Sequence, residues 1–542
     1  MKHIWYKNAI FYSLDVETFY DANGDGTGDF QGLINKLDYI SGLGVNCIWL
    51  LPFFPSPNRD NGYDVTDYYN IDPRLGSLGD FAEFMDKASQ LGIRIVIDLV
   101  VNHTSIKHPW FKEACRNPDS KYFNYYIWSD KPKKHNPDDL ILKGEVDKLW
   151  TYNEKAGKYY LHRFYEEQPD LNIANPDVRL EILRVMGFWL RLGVSGFRVD
   201  AAEILIEPYG LSTKEEYNLS GFLEEMREFI SLRNSDAILI AEANVLPRQL
   251  KTYLDKGQRM HMVFNFFLNQ HLFLAMAEEK SAALYQALKQ LPNLSHQNQW
   301  LNFLRHHDEL SLELLTEKQR EKIYRRFAPD EDMLIFHTGI RRRIAPMLEG
   351  NKKLMQLAFS LLFSLPGVAM IRYGDEIGMG EDLRLKGRES VRTPMQWSEA
   401  VEAGFSSEGK NTNAPVIDDD KFGYQILNIR KQQRGPTSFL NWVEQLIIAR
   451  KHFPEIGDGE YTTIATDAPS LFIHCFTCYD SSAYFIHNLA SHRVSLKFKS
   501  LDLEASCLSE IFGDDLSRQQ DGELIFSPFG FKWFKYTKQT LA

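Results

Sequence analysis

The chain has 542 residues, of which 44% are hydrophobic and 25% charged, and it carries a formal net charge of −11. This length predicts one large domain with one or two smaller ones, and the apolar content is typical of a globular rather than a disordered protein. The acidic balance argues against a nucleic-acid or anionic-membrane surface, because clustered lysine and arginine side chains bind phosphate groups.

The hydropathy pattern indicates neither a membrane span nor an export signal. The longest apolar run, Met355–Ile371, is interrupted by serine and proline and is too short to cross a bilayer. Residues 1–7 lack the apolar core of a secretory signal, which predicts a cytoplasmic protein. The five cysteines are scattered, so they do not suggest a disulfide framework. Cys475 and Cys478 have CxxC spacing, and we interpret them as two thiols of one strand rather than as a redox or zinc motif.

Eight short apolar segments in the first two thirds of the chain are typical of buried parallel strands. They are Ala9–Leu14, Asn46–Leu50, Arg94–Val101, Gly196–Val199, Ala237–Ala241, Met262–Phe267, Gln299–Leu304 and Val368–Tyr373. Amphipathic helical patterns separate them, such as Leu33–Leu43, Leu78–Leu91, Val178–Leu192 and Leu354–Ser364. Eight strand–helix units predict a (β/α)8 TIM barrel of the α/β class. A doubly wound open sheet is the alternative, but no glycine-rich phosphate loop follows the first strand.

Two long insertions and a change of pattern divide the chain further. Residues 104–170, after the third strand, are rich in aromatic and charged residues and predict an inserted domain. Residues 309–350, after the seventh strand, predict a charge-rich helical insert. Short alternating runs over residues 455–542 predict a small antiparallel β domain. The barrel then comprises residues 1–103 and 171–454.

Acidic side chains follow several of the predicted strands, at the end where a TIM barrel carries its reactive groups. Asp200 follows the fourth strand, Glu242 the fifth and Asp308 the seventh. A lone aspartate at a strand end is usually a helix cap or turn former, whereas three acids on one rim predict a catalytic site. Asp200 and Glu242 on neighbouring strands could supply the ionised carboxylate and the protonated carboxyl that cleave a glycosidic bond with retention.

The residues beside these acids fit the same chemistry. Arg198 lies on the same face of its strand as Asp200 and can hold that carboxylate ionised through a charge-assisted hydrogen bond. Glu242 must keep its proton near neutral pH, which burial and nearby aspartate charges favour. His103 and His307 could bind sugar hydroxyls, although core packing is the plainer interpretation of each histidine.

Five segments match, in order and spacing, regions shared by a known family. They are Asp98–His103, Gln168–Asn172, Gly196–Glu203, Ile240–Asn244 and His306–Asp308. Through them the chain resembles the α-amylase superfamily, glycoside hydrolase family 13, over essentially its whole length. The resemblance implies Asp200 as nucleophile, Glu242 as general acid/base and Asp308 as transition-state stabiliser, on a barrel with an inserted B domain and a C-terminal β domain. It also implies that these residues surround the first sugar: Tyr63, Asp64, His103, Arg198 and His307.

Two further matches imply a small substrate. Asp60 and Arg392 resemble the pair that closes the pocket over the non-reducing end in exo-acting α-glucosidases, and Ala201 resembles members that act on α-1,4 linkages. The resemblance therefore implies a neutral α-linked disaccharide rather than a long starch chain. It implies no organic cofactor, and the sequence leaves the choice between a monomer and a homo-oligomer open.

Residues 21–29 have the pattern of a loop that holds a hard cation. Oxygen-bearing side chains alternate with glycines, as Ca²⁺ coordination requires. The segment is not an EF-hand, because Gly32 stands at the twelfth position, where a bidentate glutamate is needed. A loop of Asx turns without a cation is the alternative. The family resemblance implies a structural Ca²⁺ whose ligands are Asp21, Asn23, Asp25, Asp29 and the carbonyl of Thr27.

Other stretches resemble one group of the superfamily, the trehalose synthases, which interconvert maltose and trehalose. They are Leu50–Pro57, Leu304–Leu310, Gly339–Pro346 and Tyr373–Gly380. Such an isomerisation requires that the enzyme-bound glucosyl group meets the released glucose before it meets water. The residues that close the pocket therefore decide the product.

The chain departs from this group near the predicted pocket mouth. Ile204 and Arg372 stand where tyrosine is usual, and His306 stands where asparagine is usual, whereas Glu309 and Glu313 match lid residues. We therefore expect interconversion of maltose and trehalose, with a hydrolysing exo-α-glucosidase as the alternative. A non-catalytic member of the superfamily is a third interpretation, but such members lose the acids that this chain has.

Overall fold

Eight parallel strands form a closed barrel in the computed structural model, which describes residues 4–136, 139–212, 218–406, 412–479, 481–497, 507–520 and 522–537. Numbered along the whole chain, the barrel strands are β1 (Ile10–Leu14), β2 (Cys47–Leu50), β3 (Arg94–Leu99), β7 (Gly196–Val199), β8 (Ile238–Ala241), β9 (Met262–Phe264), β10 (Gln299–Phe303) and β14 (Val368–Arg372). β1 pairs with both β2 and β14, which closes the sheet. The predicted TIM barrel is therefore confirmed, and the doubly wound alternative is wrong.

The barrel strands are buried on both faces, which explains their continuous apolar sequences. Alternate side chains fall into two separate clusters. Phe11, Trp49, Val96, Ile240 and Met370 belong to the cluster that fills the barrel, as expected for a packed interior. The intervening residues belong to the larger cluster between the sheet and the surrounding helices.

Helices connect the barrel strands, and others lie in the two insertions or between β14 and the C-terminal β domain. They are α1 (Phe30–Gly42), α2 (Leu78–Gln90), α3 (Pro109–Arg116), α4 (Pro176–Arg191), α5 (Ala202–Leu205), α6 (Gly221–Arg233), α7 (Lys251–Leu254), α8 (Phe266–Glu278), α9 (Ala282–Gln290), α10 (Glu317–Phe327), α11 (Ile344–Met347), α12 (Lys352–Ser364), α13 (Ile429–Arg434), α14 (Phe439–Lys451) and α15 (Glu455–Asp458). Side-chain caps fix several starts; Ser77 and Asp80 form a capping box on α2. Within the described ranges, no helix combines the length and the apolar character that a bilayer crossing needs.

A small sheet lies between β3 and β7, within the predicted insertion 104–170. Its strands are β4 (Trp128–Ser129), β5 (Trp150–Asn153) and β6 (Lys158–Leu161), in the order β4-β6-β5. The aromatic residues that mark this segment pack on one another; Phe111, for example, lies 5.8 Å from Trp128 and 5.1 Å from Tyr160, ring centre to ring centre. A bridge between His103 and Asp170 brings the two ends of the segment together at the C-terminal end of β3.

A second insertion follows β10. It contains α10 and α11, in line with the expected helical insert, and also the strands β11 (Leu310–Ser311), β12 (Leu334–Ile335) and β13 (Gly339–Ile340). Two-residue strands carry no periodicity, so these three strands could not be predicted from the sequence. Ile335 and Phe336 form a small apolar cluster with Leu142 of the first insertion. The two insertions therefore contact each other.

The C-terminal part of the chain is an antiparallel β domain, as predicted. A five-stranded sheet has the order β15-β16-β17-β22-β19, and a three-stranded sheet has the order β18-β21-β20. The strands are β15 (Glu460–Ile464), β16 (Leu471–Cys478), β17 (Ser481–Asn488), β18 (Val494–Lys497), β19 (Leu508–Gly513), β20 (Arg518–Gln520), β21 (Glu523–Phe526) and β22 (Phe531–Thr537). Cys475 and Cys478 both lie on β16, three residues apart, so their side chains project from opposite faces.

A buried polar network joins the β domain to the barrel through Ser360 of α12. The Oγ atom of Ser360 accepts a hydrogen bond from Nε1 of Trp533 at 2.8 Å and hydrogen-bonds Nε2 of His487 at 2.9 Å. His487 in turn stacks on His474. Burial lowers the pKa of His487 to about 3, so its ring stays neutral near neutral pH. Ser360 therefore satisfies two buried polar atoms of the β domain at once.

We predict that Ser360→Ala lowers the free energy of unfolding by about 1–3 kcal/mol, because Trp533 and His487 would each keep a buried polar atom without its partner. Urea unfolding followed by fluorescence measures this change. The matched control is Thr477→Ala, which removes an exposed hydroxyl that pairs with Ser482 and should change stability by less than about 0.5 kcal/mol. Equal stabilities of Ser360→Ala and the unsubstituted protein would contradict the role of this network.

Candidate active site

A pocket opens at the C-terminal ends of the barrel strands and brings the three predicted acids together. Asp200, Glu242 and Asp308 all line it, and they follow β7, β8 and β10 as expected. The two insertions form its outer wall through Ile141, Lys143, Phe164, Glu309, Ser311, Glu313, Phe336 and Thr338. The pocket is therefore built from the barrel below and from inserted segments above.

The buried side chain of Arg198 binds three carboxylates at the floor of this pocket. Its Nη1 atom lies 2.5 Å from Oδ1 of Asp98 and 2.5 Å from Oδ1 of Asp200, and its Nη2 atom lies 2.6 Å from Oε1 of Glu242. Asp98 is directly opposite Arg198 in the pairing of β3 with β7, and β8 pairs with β7 on the other side. Strand pairing therefore fixes the positions of the guanidinium and of all three acids.

Three acids share the single positive charge of Arg198, and their pKa values reflect this excess of carboxylates over cations. Burial raises the pKa of Asp98 to about 7 and that of Glu242 to about 7, and it also raises the pKa of Asp200. The Arg198 guanidinium acts in the opposite direction on all three. Because one positive charge cannot balance three negative charges in a buried site, the cluster retains protons near neutral pH. An ionised and a protonated carboxyl can therefore coexist here.

The backbone after β7 holds Glu242 in place. The Ala201 N–H donates to Oε2 of Glu242 at 3.0 Å, and the Ala202 N–H donates to the Glu242 carbonyl at 2.9 Å. Ala201 has φ 45°, in the left-handed region that β-branched side chains avoid. The strained turn after Asp200 thus directs an amide at the neighbouring acid.

The residues expected around the first sugar divide into two groups. Tyr63 and His103 line the pocket, whereas Asp64 and His307 lie behind its surface. The Tyr63 ring stacks on His307, and its hydroxyl lies 2.8 Å from Nε2 of that residue and 3.2 Å from Oδ2 of Asp98. Asp64 accepts a hydrogen bond from Ser56 at 2.6 Å. His307 and Asp64 are therefore placed to support the wall, while Tyr63 and His103 reach the space inside it.

Asp308 is held between two arginines. Nη2 of Arg392 lies 2.7 Å and Nη1 of Arg388 lies 3.1 Å from Oδ1 of Asp308, and Nε2 of His307 lies 3.2 Å from Oδ2. Burial alone would raise the pKa of Asp308, but the charges of Arg388 and Arg392 outweigh it and hold the pKa well below its usual range. Asp308 is therefore ionised near neutral pH, and it faces the pocket.

Asp60 lies in the pocket wall, but its contacts differ from the expected closing pair. Its Oδ2 atom accepts a hydrogen bond from Gln168 at 2.9 Å, and burial raises its pKa to about 6. In the part of the chain that the structure describes, Asp60 forms no ion pair with Arg392, because Arg392 binds Asp308 instead. The positive charge of Arg392 still lowers the pKa of Asp60. The two residues therefore act on each other at longer range.

Three residues of the site were missed in the sequence. Asp98 could have been found, because an acid inside an apolar strand needs a partner. Glu203 lines the pocket two residues beyond the strained Ala201, and it lies within a motif that the sequence already singled out. Arg388, whose Nε atom also lies 2.8 Å from Oε2 of Glu309, comes from a loop without periodicity and gave no signal.

The predicted calcium loop, residues 21–29, is a series of turns closed by its own side chains. Asp21 accepts from the N–H groups of Gly24 and Gly26 at 2.6 and 2.8 Å, and Asp29 caps α1 by accepting from Gly32 at 2.6 Å. Asn23 and Asp25 each accept from the backbone amide two residues on. Carboxylate and amide oxygens are ligands that Ca²⁺ prefers, so the residue types of this loop are compatible with that ion. Thr27 is buried beside them.

Comparison with known proteins agrees with this geometry. The family model "Alpha amylase, catalytic domain" matches residues 16–459. The chain is 39% identical to the trehalose synthase/amylase of Mycobacterium tuberculosis over 475 residues, which cover 87% of this chain and 79% of that protein. It is 36% identical to the trehalose synthase of Pimelobacter sp., covering 98% and 96%, and 32% identical to the glucan 1,6-α-glucosidase of Streptococcus pneumoniae, covering 94% and 97%. The crystal structure of the α-amylase from H. orenii superimposes with a TM-score of 0.79 at 25% identity over 98% of this chain and 99% of that one.

We predict that Glu242→Gln is stabilised relative to the unsubstituted protein as the pH rises. The folded pKa of Glu242, about 7, is above its ordinary value of 4.5, so its favourable contribution is complete below pH 4.5 and is lost as the pH rises through 7. Glutamine does not titrate, and the relative gain between pH 5 and 8 should be about 1–3 kcal/mol in urea unfolding. The control Glu154→Gln, at an exposed position, should show no such trend. If the difference in unfolding free energy between Glu242→Gln and the unsubstituted protein did not change with pH, the raised pKa of Glu242 would be refuted.

Proposed function

This chain belongs to the α-amylase family of carbohydrate-active enzymes, and we propose that it interconverts maltose and trehalose by intramolecular glucosyl transfer with retention. The observation that carries this proposal is the pair Asp200 and Glu242, which share Arg198 on neighbouring strands of one pocket. The trehalose synthases among its relatives, at 36 to 41% identity, support the choice of reaction.

The proposed first step cleaves the glycosidic bond. The Asp200 carboxylate attacks the anomeric carbon of the terminal glucose, and the carboxyl of Glu242 gives its proton to the departing oxygen. A glucosyl ester on Asp200 and a free glucose result. Arg198 stabilises the ionised form of Asp200, whereas the burial that raises the pKa of Glu242 keeps the proton on it.

The proposed second step returns the glucosyl group. The released glucose turns in the pocket and presents its anomeric hydroxyl; Glu242, now ionised, removes that proton while the oxygen attacks the glucosyl ester. The product is the 1,1-linked disaccharide, Asp200 is again a free carboxylate, and Glu242 is again protonated. The ionised Asp308 favours the positive charge that develops on the sugar ring in both steps.

Exclusion of water decides between transfer and hydrolysis. The contact of Ile335 and Phe336 with Leu142 connects the two insertions beside the pocket, and Arg388 links Asp308 to Glu309 in the outer wall. These contacts in the outer wall support the isomerase. The alternative, an exo-α-glucosidase, is favoured by Ile204, an aliphatic side chain in the wall where the trehalose synthases have tyrosine.

The products formed from maltose test the proposal. We expect purified enzyme to convert maltose into trehalose with little free glucose, as resolved by chromatography, and to run the reverse reaction from trehalose. Asp200→Asn should lose activity on every substrate by at least about 10⁴-fold, because no covalent intermediate can form. Glucose alone from maltose would refute the isomerase and support the glucosidase. Full activity of Asp200→Asn would refute the mechanism itself.

We also propose that residues 21–29 bind a structural Ca²⁺ through Asp21, Asn23, Asp25, Asp29 and the Thr27 carbonyl. A cytoplasmic location stays a prediction, and the choice between a monomer and a homo-oligomer stays open. Removal of the ion with a chelator should lower the Tm by several degrees, and CaCl₂ should restore it, because an ion bound only to the folded state stabilises that state. The dependence on CaCl₂ should disappear in Asp25→Ala and persist in Asp38→Ala, an exposed control. A Tm that ignores both chelator and CaCl₂ would refute the site.

A further inference from the structure

Asp308 projects from a segment that has no regular secondary structure, residues 304–309 between β10 and β11. Buried main-chain carbonyls in such a segment need donors from elsewhere. Three consecutive carbonyls here each accept a hydrogen bond from a different buried arginine side chain: His306 from Arg372 at 3.2 Å, His307 from Arg392 at 3.1 Å and Asp308 from Arg305 at 2.8 Å. Arginine side chains therefore hold the backbone that carries Asp308.

Arg372 also binds the segment that carries Arg392. Its Nη2 atom donates to the Val391 carbonyl at 2.5 Å, while its Nη1 atom donates to the His306 carbonyl. One guanidinium thus joins the residue directly before Arg392 to the residue two positions before Asp308. Because a guanidinium is a rigid planar fork, it fixes the spacing between the two carbonyls that it binds.

The backbone of Arg372 belongs to the barrel, which makes this fork a firm support. Arg372 is the last residue of β14 and pairs with Ser13 of β1, and the Tyr373 N–H donates to the Ser13 carbonyl at 2.9 Å. The Arg372 side chain is 1% exposed and is not among the residues that line the pocket. Burial lowers its pKa to about 9, so it stays charged near neutral pH. It therefore acts from behind the pocket wall.

The two segments that Arg372 joins meet at the contact between Asp308 and Arg392. Nη2 of Arg392 lies 2.7 Å from Oδ1 of Asp308. A carboxylate stabilises a developing positive charge only if it is already held where that charge arises. A shift of either segment by roughly 1 Å would displace the carboxylate, and a displacement of that size can lower a rate by about 100-fold.

We propose that Arg372 is a positioning residue whose guanidinium holds the His306 and Val391 carbonyls at a fixed spacing and thereby sets the Asp308 carboxylate against the sugar ring. This inference rests on the proposed function, because it takes Asp308 as the group that stabilises positive charge on that ring. Arg372 touches no substrate and transfers no proton. Tyrosine, the usual residue at this position in trehalose synthases, has one O–H group and could donate to only one of the two carbonyls.

Two ligands that are bound without turnover test this role. The protonated cation of 1-deoxynojirimycin carries a positive charge in its ring, whereas 1,5-anhydroglucitol has the same hydroxyls and a neutral ring oxygen. Arg372→Lys and Arg372→Met should raise the Kd of the cation about tenfold in calorimetry and leave that of the neutral ligand within about twofold, because only the cation depends on the position of the Asp308 charge. With maltose, kcat should fall at least about tenfold while KM stays within about threefold.

The two variants separate position from charge. Arg372→Lys keeps the charge, but its single nitrogen cannot span both carbonyls. Arg372→Met removes a positive charge, which by itself would tighten binding of the cation. The matched control is Arg450→Lys, because Arg450 is a buried arginine that donates to the Phe453 carbonyl at 3.0 Å and to Asn8, ahead of β1 at the other end of the barrel. It should leave both Kd values within about twofold. Circular dichroism and Tm establish folding, and Arg372→Gln replaces Arg372→Met if the latter does not fold.

Asp308→Asn supplies the reference. It should weaken the cation at least as much as the Arg372 variants do, and Arg372→Lys should add less than about twofold in that background, because both changes act through one carboxylate. Full additivity, equal weakening of both ligands, tighter binding of the cation, or unchanged Kd values in folded Arg372 variants would each overturn the assignment. An unchanged Kd of the cation in Asp308→Asn would instead refute the role proposed for Asp308 itself, whichever product maltose gives.

Discussion

The rest of the site depends on the salt bridges of one fully buried arginine. Arg198 contacts Asp98, Asp200 and Glu242, which lie on or directly after three adjacent barrel strands. Burying three carboxylates without a cation would be very costly, and burying the cation without the acids would be costly too. The cluster is therefore stable only as a unit, and the surplus of acids over cations is what retains a proton beside an ionised carboxylate.

The barrel carries the acids of the pocket, and the insertions form its outer wall. Strand pairing fixes Asp98 and Glu242 on either side of Arg198. That wall comes from segments of both insertions, which meet at Leu142, Ile335 and Phe336. The shape of the pocket above the acids therefore depends on residues that are distant in sequence from the strands that carry those acids.

Features that depend on residues close together in the chain could be predicted from the sequence, whereas contacts between distant residues could not. The eight strands were readable because each is a continuous apolar run. The three acids were readable because Asp200 and Glu242 come directly after two strands and Asp308 lies a few residues beyond a third. The sheet of β11, β12 and β13 was not readable, because strands of two residues exist only through their partners. The partners of Asp60 and Arg392 were not readable for a related reason: Arg392 binds Asp308 and Asp60 binds Gln168, and both partners are distant in sequence.

The sequence by itself determined the barrel, the antiparallel C-terminal domain, and the placement of Asp200, Glu242 and Asp308 after barrel strands. Periodicity, burial and motif order are local properties of the chain, and they suffice for those conclusions. Only the tertiary structure decided which charges touch. It joined Asp98 to the acid pair and placed Arg388 on Asp308. Such pairings depend on distances between residues far apart in the chain, and no local pattern records them.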